Sequence, residues 1–225
     1  FLREMEFNRL LSSAISIYGE PKLSSSAPEK KILENQKPIN NKNYYLITDA
    51  KQIDLWIQEA EETGEVAVDT ETSSLDPHQA DLVGISLCSK IGKACYIPIG
   101  HNSFKCINKD IVIKKLKPLL EDPSVKKIGQ NIKFDFIVLF KNGINICSME
   151  DTMLMSYVLD AGKNRHNMDT LSEIHLGHKT ISFKEIVGTG KKQINFNEVE
   201  INRAKDYAAE DADITFRLYK KFIKN

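Results

Sequence analysis

The sequence has 225 residues, of which 41% are hydrophobic and 28% are charged, a composition typical of a globular domain with an apolar core. The 31 basic and 31 acidic residues balance, which argues against a protein that grips long nucleic acid through a uniformly positive surface. No hydrophobic run approaches the roughly 20 residues that span a bilayer, so no membrane partner is expected. The four cysteines lack Cys-x-x-Cys spacing, which indicates small buried residues in a reducing compartment.

Three segments are predicted along the chain. Residues 1–20 have helical apolar spacing that stops at Gly19-Glu20-Pro21. Residues 21–43 are rich in Ser, Pro, Asn and mixed charge, which predicts a linker. Residues 44–225 then show the alternating apolar patterns of a folded domain.

Within that domain, strands and helices alternate. Strands are predicted at residues 45–47, 66–71, 82–88, 94–99, 125–128 and 144–146. Helices are predicted at residues 50–62, 110–120, 132–141, 153–159 and 171–176, with an irregular stretch at 179–196. A last helix is predicted to begin at about residue 198 or 201 and to end at 222. Three strands joined by short links predict an antiparallel meander, and the helix–strand–helix–strand run that follows adds parallel strands. The predicted fold class is α/β, with a mixed sheet flanked by helices.

A pair of carboxylates follows the apolar strand at residues 66–68. Asp69 and Glu71 are separated by one residue, and such residues on a strand point to the same side. Two like charges held close together repel unless a cation lies between them, so the pattern indicates a divalent-metal site. The alternative is a strand that runs out into a solvated acidic turn, and Asp-x-Glu alone does not decide between the two.

Two predicted helices carry further acids. Asn131 and Asp135 lie four residues apart, which places them on one face of the helix expected to open there. Tyr207 and Asp211 are also four apart, and the alanines around Asp211 let the last helix pack close to the sheet with that acid turned inward. The alternative for each acid is a solvated helix face, where most helical acids lie.

Together the segments VAVDTET, GQNIKFD and YAAEDAD resemble the three motifs of the DEDD 3′–5′ exonucleases, in the variant whose third motif contains tyrosine. The resemblance is closest to the proofreading domains of bacterial DNA polymerases I, and it covers residues 44–225. Residues 1–20 resemble the end of the 5′-nuclease domain that precedes proofreading in such polymerases. The resemblance implies a ribonuclease H-like fold in a monomeric, cytoplasmic, nucleoid-associated bacterial protein. It also implies a covalently linked polymerase domain, which this sequence does not contain.

The same resemblance implies a site for two divalent cations, Mg²⁺ or Mn²⁺ with Zn²⁺ as a further option. The acids that match the motif are Asp69, Glu71, Asp135 and Asp211. Two cations roughly 3.5–4 Å apart activate water, neutralise charge on the phosphate and stabilise the leaving 3′ oxygen. Tyr207 matches the family position that orients the attacking water.

Substrate contacts are implied by position as well. Leu75 and Phe183 match apolar residues that pack on the terminal bases, and such stacking is indifferent to base identity. Ordinary packing is the alternative for both. Phe134 stands where many relatives have Tyr, which removes one polar contact. The remaining implied contacts are Thr70, Gln130, Asn131, Lys133 and Arg165.

The sequence therefore predicts a metal-dependent 3′–5′ exodeoxyribonuclease, a phosphodiester hydrolase that releases nucleoside 5′-monophosphates from single-stranded DNA 3′ ends. An RNA 3′-end-trimming exonuclease like ribonuclease D shares these motifs and is the first alternative. A catalytically silent spacer module of a polymerase is the second, and the complete set of acids argues against it.

Overall fold

The structure, a computed structural model, describes residues 2–3, 5, 7–19 and 39–224, apart from the side chain of Lys191. The chain divides into two compact units, Phe1–Gln36 and Lys37–Asn225. In the first unit, helix α1 spans Asn8–Tyr18, and none of its residues is buried. The predicted linker at 21–43 lies outside the described residues as far as position 38, and its predicted boundaries stay predictions.

Residues 39–224 are built on one six-stranded mixed sheet. Its strands are β1 (Tyr44–Leu46), β2 (Glu65–Thr72), β3 (Leu82–Lys90), β4 (Lys93–Pro98), β5 (Lys126–Gly129) and β6 (Met149–Asp151). They lie in the order β1-β4-β3-β2-β5-β6. Strand β3 runs antiparallel to β2 and β4, whereas the β1–β4, β2–β5 and β5–β6 pairs are parallel. The predicted meander with added parallel strands, and with it the α/β class, is confirmed.

Helices cover the sheet. They are α2 (Ala50–Thr63), α3 (Lys109–Glu121), α4 (Lys133–Lys141), α5 (Thr152–Asp160), α6 (Met168–Leu176), α7 (Phe183–Val187) and α8 (Ile201–Phe222). Side-chain caps begin several of them: the Asp49 carboxylate accepts from the Lys51 amide at 2.8 Å, and Asp151 accepts from the Met153 amide at 2.9 Å. Among the helices of the described residues, none is long and apolar enough to cross a bilayer.

The alternation of β2 decides where its acids point. Val66 and Val68 belong to the apolar core formed with α2 and α3, whereas Ala67 packs in a separate cluster with residues of α8. Because side chains on a strand alternate between the two faces, Asp69 and Glu71 continue on the side of Ala67. The central strand therefore directs both carboxylates towards α8.

One predicted strand is wrong. Residues 144–146 form no strand, and the segment that pairs with β5 is β6. Ile144 and Ile146 are instead 0% and 3% exposed in the core, with the Ile144 amide bonded to the Leu139 carbonyl. A short apolar run fits a buried connection as well as a strand, so periodicity alone does not separate them.

The stretch 179–196 is less irregular than predicted, because it contains α7 and the 3₁₀ turn Gly190–Lys192, and a second 3₁₀ turn, Phe196–Glu198, begins at its last residue. A capping box starts α7: the Ser182 hydroxyl accepts from the Glu185 amide at 3.3 Å, and the Glu185 carboxylate accepts from the Ser182 amide at 3.1 Å. This Ser-x-x-Glu pattern is a sequence signal for a helix start that apolar spacing alone does not reveal.

Candidate active site

Three carboxylates converge where β2 meets α8. Asp69, Glu71 and Asp211 each offer an oxygen atom, and these atoms all lie within 4.8 Å of one another. Glu71 and Asp211 are 7% and 8% exposed, and Asp69 is half-buried. The Oε1 atom of Glu71 is buried without a hydrogen-bond partner among the described residues. Since buried polar atoms are nearly always paired, this oxygen indicates a ligand site for a cation.

The C-terminal helix supplies Asp211 because small residues surround it. Ala208, Ala209 and Ala212 are fully buried, so α8 packs closely against the sheet and carries the acid inward. The alternative of a solvated charge run is therefore wrong for Asp211. Tyr207, one turn earlier, is half-buried and lines the same cavity as the carboxylates.

Asp135 lies beside this cluster rather than within it. The side chain is 3% exposed, and its Oδ1 atom accepts from the Thr70 amide at 2.9 Å and from the Thr70 hydroxyl at 2.6 Å. The negative charge of Asp135 nevertheless contributes to the raised pKa of Glu71. Thr70 thus holds Asp135, the fourth predicted acid, at the edge of the site through two donated hydrogen bonds.

Burial and mutual repulsion raise the pKa values of these acids. Burial raises the pKa of Asp69 to about 6. The pKa of Glu71 rises well above its usual range, mainly through burial and then through the charges of Asp69, Asp211 and Asp135. The pKa of Asp211 rises for the same two reasons, with Asp69 as the main neighbouring charge. Such a cluster holds protons tightly unless a cation replaces them.

A cavity of about 470 Å³ opens over the cluster, and apolar side chains form part of its wall. Leu75, Phe134 and Phe183, all predicted as substrate contacts, line it. Leu75 is 89% exposed and Phe183 is 38% exposed, so ordinary core packing does not account for their positions. We call this space the carboxylate cavity.

Seven further lining residues were not predicted. Three of them, Thr72, Ser73 and Ser74, lie between the predicted acids of β2 and Leu75, and the other four come from a second segment. These four are Gln193, Ile194, Asn195 and Phe196, from the loop between α7 and α8. Phe196 packs face to face with the Phe183 ring, with centroids 6.3 Å apart and planes at 7°. The loop turns at Gly188 and Gly190, whose φ angles are +79° and +63°. Glycine favours this backbone conformation, and the two glycines were the available sequence signal for the turn.

Thr70, another predicted substrate contact, also lines the carboxylate cavity. Three more, Gln130, Asn131 and Arg165, instead line a second cavity of about 1000 Å³. The Gln130 side chain is held at both ends, since its amide donates to the His166 carbonyl at 2.8 Å and its oxygen accepts from the Thr152 hydroxyl at 2.5 Å. The structure therefore separates these residues from the carboxylate cavity.

Asn131 precedes α4 instead of belonging to it. Its φ of +63° is left-handed, and its amide donates to the Asp151 carboxylate at 2.9 Å. The prediction that Asn131 and Asp135 share a helix face is therefore wrong, because the tight turn after β5 delays the helix start to Lys133. Lys133 is exposed there, and its ammonium group donates to the Asn131 side-chain oxygen.

Comparison with known proteins identifies the family of this chain. A profile described as 3′–5′ exonuclease matches residues 44–225. The chain belongs to this family. DNA polymerase I of Rhizobium leguminosarum is 44% identical over 203 residues, which cover 81% of the chain and 20% of that protein. DNA polymerase I of Pseudomonas aeruginosa is 40% identical over 225 residues, which cover 97% of the chain and 24% of that protein.

The chain thus spans between a fifth and a quarter of the length of these relatives. The predicted kinship with the 3′–5′ exonuclease domain of DNA polymerase I, a hydrolase, is confirmed.

Solved structures confirm the predicted ribonuclease H-like fold. Brucella melitensis NrnC with bound Mg²⁺ superposes with a TM-score of 0.56 at 23% identity, covering 80% of this chain and 79% of that one. Escherichia coli RNase D, described as an exoribonuclease involved in structured RNA processing, gives a TM-score of 0.59 at 17% identity. That match covers 81% of this chain and 44% of RNase D. At these identities the likeness concerns the fold.

Proposed function

We propose that this chain removes nucleoside 5′-monophosphates from the 3′ ends of single-stranded DNA, as the proofreading part of a DNA polymerase I. The observation that carries the proposal is the convergence of Asp69, Glu71 and Asp211 within 4.8 Å at the base of a cavity with an apolar wall. The preference for DNA rests on the two DNA polymerase I relatives. In the full-length protein, we expect a covalently linked polymerase domain and a cytoplasmic location.

The residues present fit divalent cations. The cluster offers carboxylate oxygens without His or Cys ligands, a set that suits Mg²⁺ or Mn²⁺ better than Zn²⁺. The unpaired Glu71 oxygen and the raised carboxylate pKa values are the properties expected of a site that binds positive charge. We propose two cations, held by Asp69, Glu71 and Asp211 with Asp135 as the fourth acid.

In the reaction, a water oxygen bonds to phosphorus while the bond from phosphorus to the 3′ oxygen breaks. Divalent cations supply the charge neutralisation and water activation that this hydrolysis needs at neutral pH. Burial, then the neighbouring carboxylates, raise the pKa of Tyr207 well above its usual range. The phenol therefore keeps its proton and orients the water by hydrogen bonding, and it does not serve as the base.

In this proposal, the apolar wall of the carboxylate cavity binds the base of the terminal nucleotide. Leu75, Phe134 and Phe183 offer surfaces on which any base can stack. Such tolerance suits an enzyme that removes whichever nucleotide is misplaced. The second cavity, with the exposed Arg165, is the proposed place for the backbone of the preceding nucleotides.

The test is the degradation of matched 5′-labelled single-stranded DNA and RNA in the presence of Mg²⁺. We expect a ladder of shortened DNA from the wild-type protein and almost none from Asp211→Asn, with circular dichroism showing that both are folded. A ladder from RNA alone makes the protein an RNA-trimming enzyme and contradicts the proposal. Equal ladders from the two proteins, or none from the wild type, also contradict it.

A further inference from the structure

Glu210 is a buried acid next to Asp211 that has no assigned role. The side chain is 6% exposed, although glutamate is among the residues least often buried. Both of its carboxylate oxygens have partners from the same segment: Oε1 lies 2.9 Å from His178 Nε2, and Oε2 accepts from the Ile181 amide at 2.6 Å. Glu210 therefore uses its charge to bind the connection between α6 and α7.

That connection leads directly to the apolar wall of the carboxylate cavity. Two residues after Ile181, Phe183 begins α7, and its ring centroid lies 6.1 Å from that of Tyr207. The connection is also tied to α6, since the Ser172 hydroxyl donates to the His178 carbonyl at 2.8 Å. Glu210 thus joins the segment that ends in Phe183 to the helix that carries Tyr207 and Asp211.

We propose that Glu210, together with His178, is a positioning residue that sets the Phe183 side of the cavity relative to the acids of α8. It acts on binding of the terminal nucleotide through Phe183, and it leaves the hydrolysis step itself unaltered. This inference rests on the proposed function, because the Phe183 ring matters only if a base stacks on it.

The physical reason is the cost of leaving buried groups unpaired. Removal of the Glu210 carboxylate leaves the Ile181 amide and the His178 ring without their hydrogen-bond partner. The connection between α6 and α7 is therefore expected to shift until these groups bond to water or to other protein atoms. Phe183, which is exposed and held mainly by Tyr207 and Phe196, moves with it. A glutamine at position 210 keeps one acceptor oxygen and one donor for the same partners, so it preserves most of the arrangement.

A double-mutant cycle tests the inference with steady-state kinetics on labelled single-stranded DNA. We expect Glu210→Ala and Phe183→Ala each to raise KM about tenfold, with kcat changed less than about twofold, because each disturbs the same stacking surface. The double variant should raise KM no more than the larger single change. Glu210→Gln should restore KM to within about threefold of the wild type. Calorimetric Mn²⁺ affinity should be the same in Glu210→Ala and the wild type.

The matched control is Glu59→Ala. Glu59 is 8% exposed on α2, and its Oε1 atom lies 2.8 Å from the ammonium groups of Lys90 and Lys93. It is therefore a buried glutamate with two partners that lies outside the site. We expect it to lower thermal stability without altering KM. If Glu210→Ala proves unfolded, His178→Ala replaces it in the cycle, since it removes one of the same bonds.

Several results would overturn the positioning role. These are additive KM effects in the double variant, a KM shift of equal size in Glu59→Ala, or a loss of Mn²⁺ affinity in Glu210→Ala that shows an electrostatic effect on Asp211. A wild-type protein that degrades neither DNA nor RNA refutes the proposed function, and the positioning role falls with it. A wild-type protein that is active but shows additive effects refutes the positioning role alone.

Discussion

Two buried aspartates of α8 are only two residues apart but have opposite surroundings: one is paired with hydrogen-bond donors and the other lies among carboxylates. Asp213 is fully buried and saturated with donors: it accepts from the Tyr44 hydroxyl at 2.8 Å, the Gly92 amide at 2.7 Å and Arg217 Nε at 3.0 Å. Asp211 instead faces the carboxylates of β2, and the neighbouring charges that raise its pKa are those of Asp69, Glu210 and Asp169.

The difference separates a structural acid from the acid proposed to bind a cation. A buried carboxylate that is paired and hydrogen-bonded stabilises the fold, whereas one placed among like charges costs stability unless something else neutralises it. Asp213 ties α8 to β1 and to the β3–β4 turn, so its burial is accounted for within the protein. For Asp211, the proposed cation would neutralise the like charges that surround it.

Activity gives the largest expected contrast between the two positions. Asp211→Asn should lower kcat by about 1000-fold or more, since charge stabilisation of the transition state by bound cations is worth several kcal/mol. Asp213→Asn should retain kcat within about threefold at a temperature where it is folded. Rates of mononucleotide release from labelled single-stranded DNA measure both. Comparable losses in the two variants would mean that Asp213 also serves the reaction and that the contrast is unfounded.

Stability should show the reverse order. Asp213→Ala is expected to lower the free energy of unfolding by about 3 kcal/mol, because it leaves Arg217 and the Tyr44 hydroxyl without their buried partner. In chelator, Asp211→Asn should raise the free energy of unfolding by about 1–2 kcal/mol, since it removes repulsion among like charges. Urea titrations of both variants in EDTA provide the values. A stabilised Asp213→Ala or a destabilised Asp211→Asn would reverse the assignment of the two acids.

The pH dependence of stability sharpens the contrast at Asp69. Its pKa is raised to about 6 from the usual value of 3.8, so the folded protein holds this proton more tightly than the unfolded chain. The resulting stabilisation is fully present below about pH 4 and is lost as the pH rises through 6, amounting to about 2–3 kcal/mol. In EDTA, the free energy of unfolding of the wild type should therefore fall between about pH 4 and 6 relative to Asp69→Asn.

Divalent cations supply the control for that measurement. At pH 7, saturating Mg²⁺ or Mn²⁺ should raise the thermal midpoint of the wild type, because ligands that bind the folded state stabilise it by mass action. Asp69→Asn should show a smaller rise. Parallel pH profiles of the wild type and the variant in EDTA would remove Asp69 from the set of perturbed carboxylates.

Much of the site could be predicted because its parts are local patterns. The two-residue period of a strand places Asp69 beside Glu71, and the alanines near Asp211 turn that acid inward. Elements whose position depends on distant contacts were missed. The loop that brings Ile194 to the cavity has no periodicity, and Ile144 fills the core where a strand was expected. The role of Glu210 depends on partners about 30 residues away in sequence, which no local pattern encodes.

Tyr207 gives the smallest expected effect and separates orientation from charge. Tyr207→Phe should lower kcat about 10–100-fold, because it removes the proposed hydrogen bond to the attacking water and the hydrogen bond between the Tyr207 hydroxyl and Asp211, while all four carboxylates are retained. Mn²⁺ affinity and the thermal midpoint should change little. Since the raised pKa of Tyr207 keeps the phenol protonated, the variant should also retain the shape of the wild-type pH–rate profile between pH 6 and 9. A basic limb that disappears in Tyr207→Phe would show that the phenol titrates during catalysis, and Asp211 and its neighbours would then no longer account for the chemistry alone.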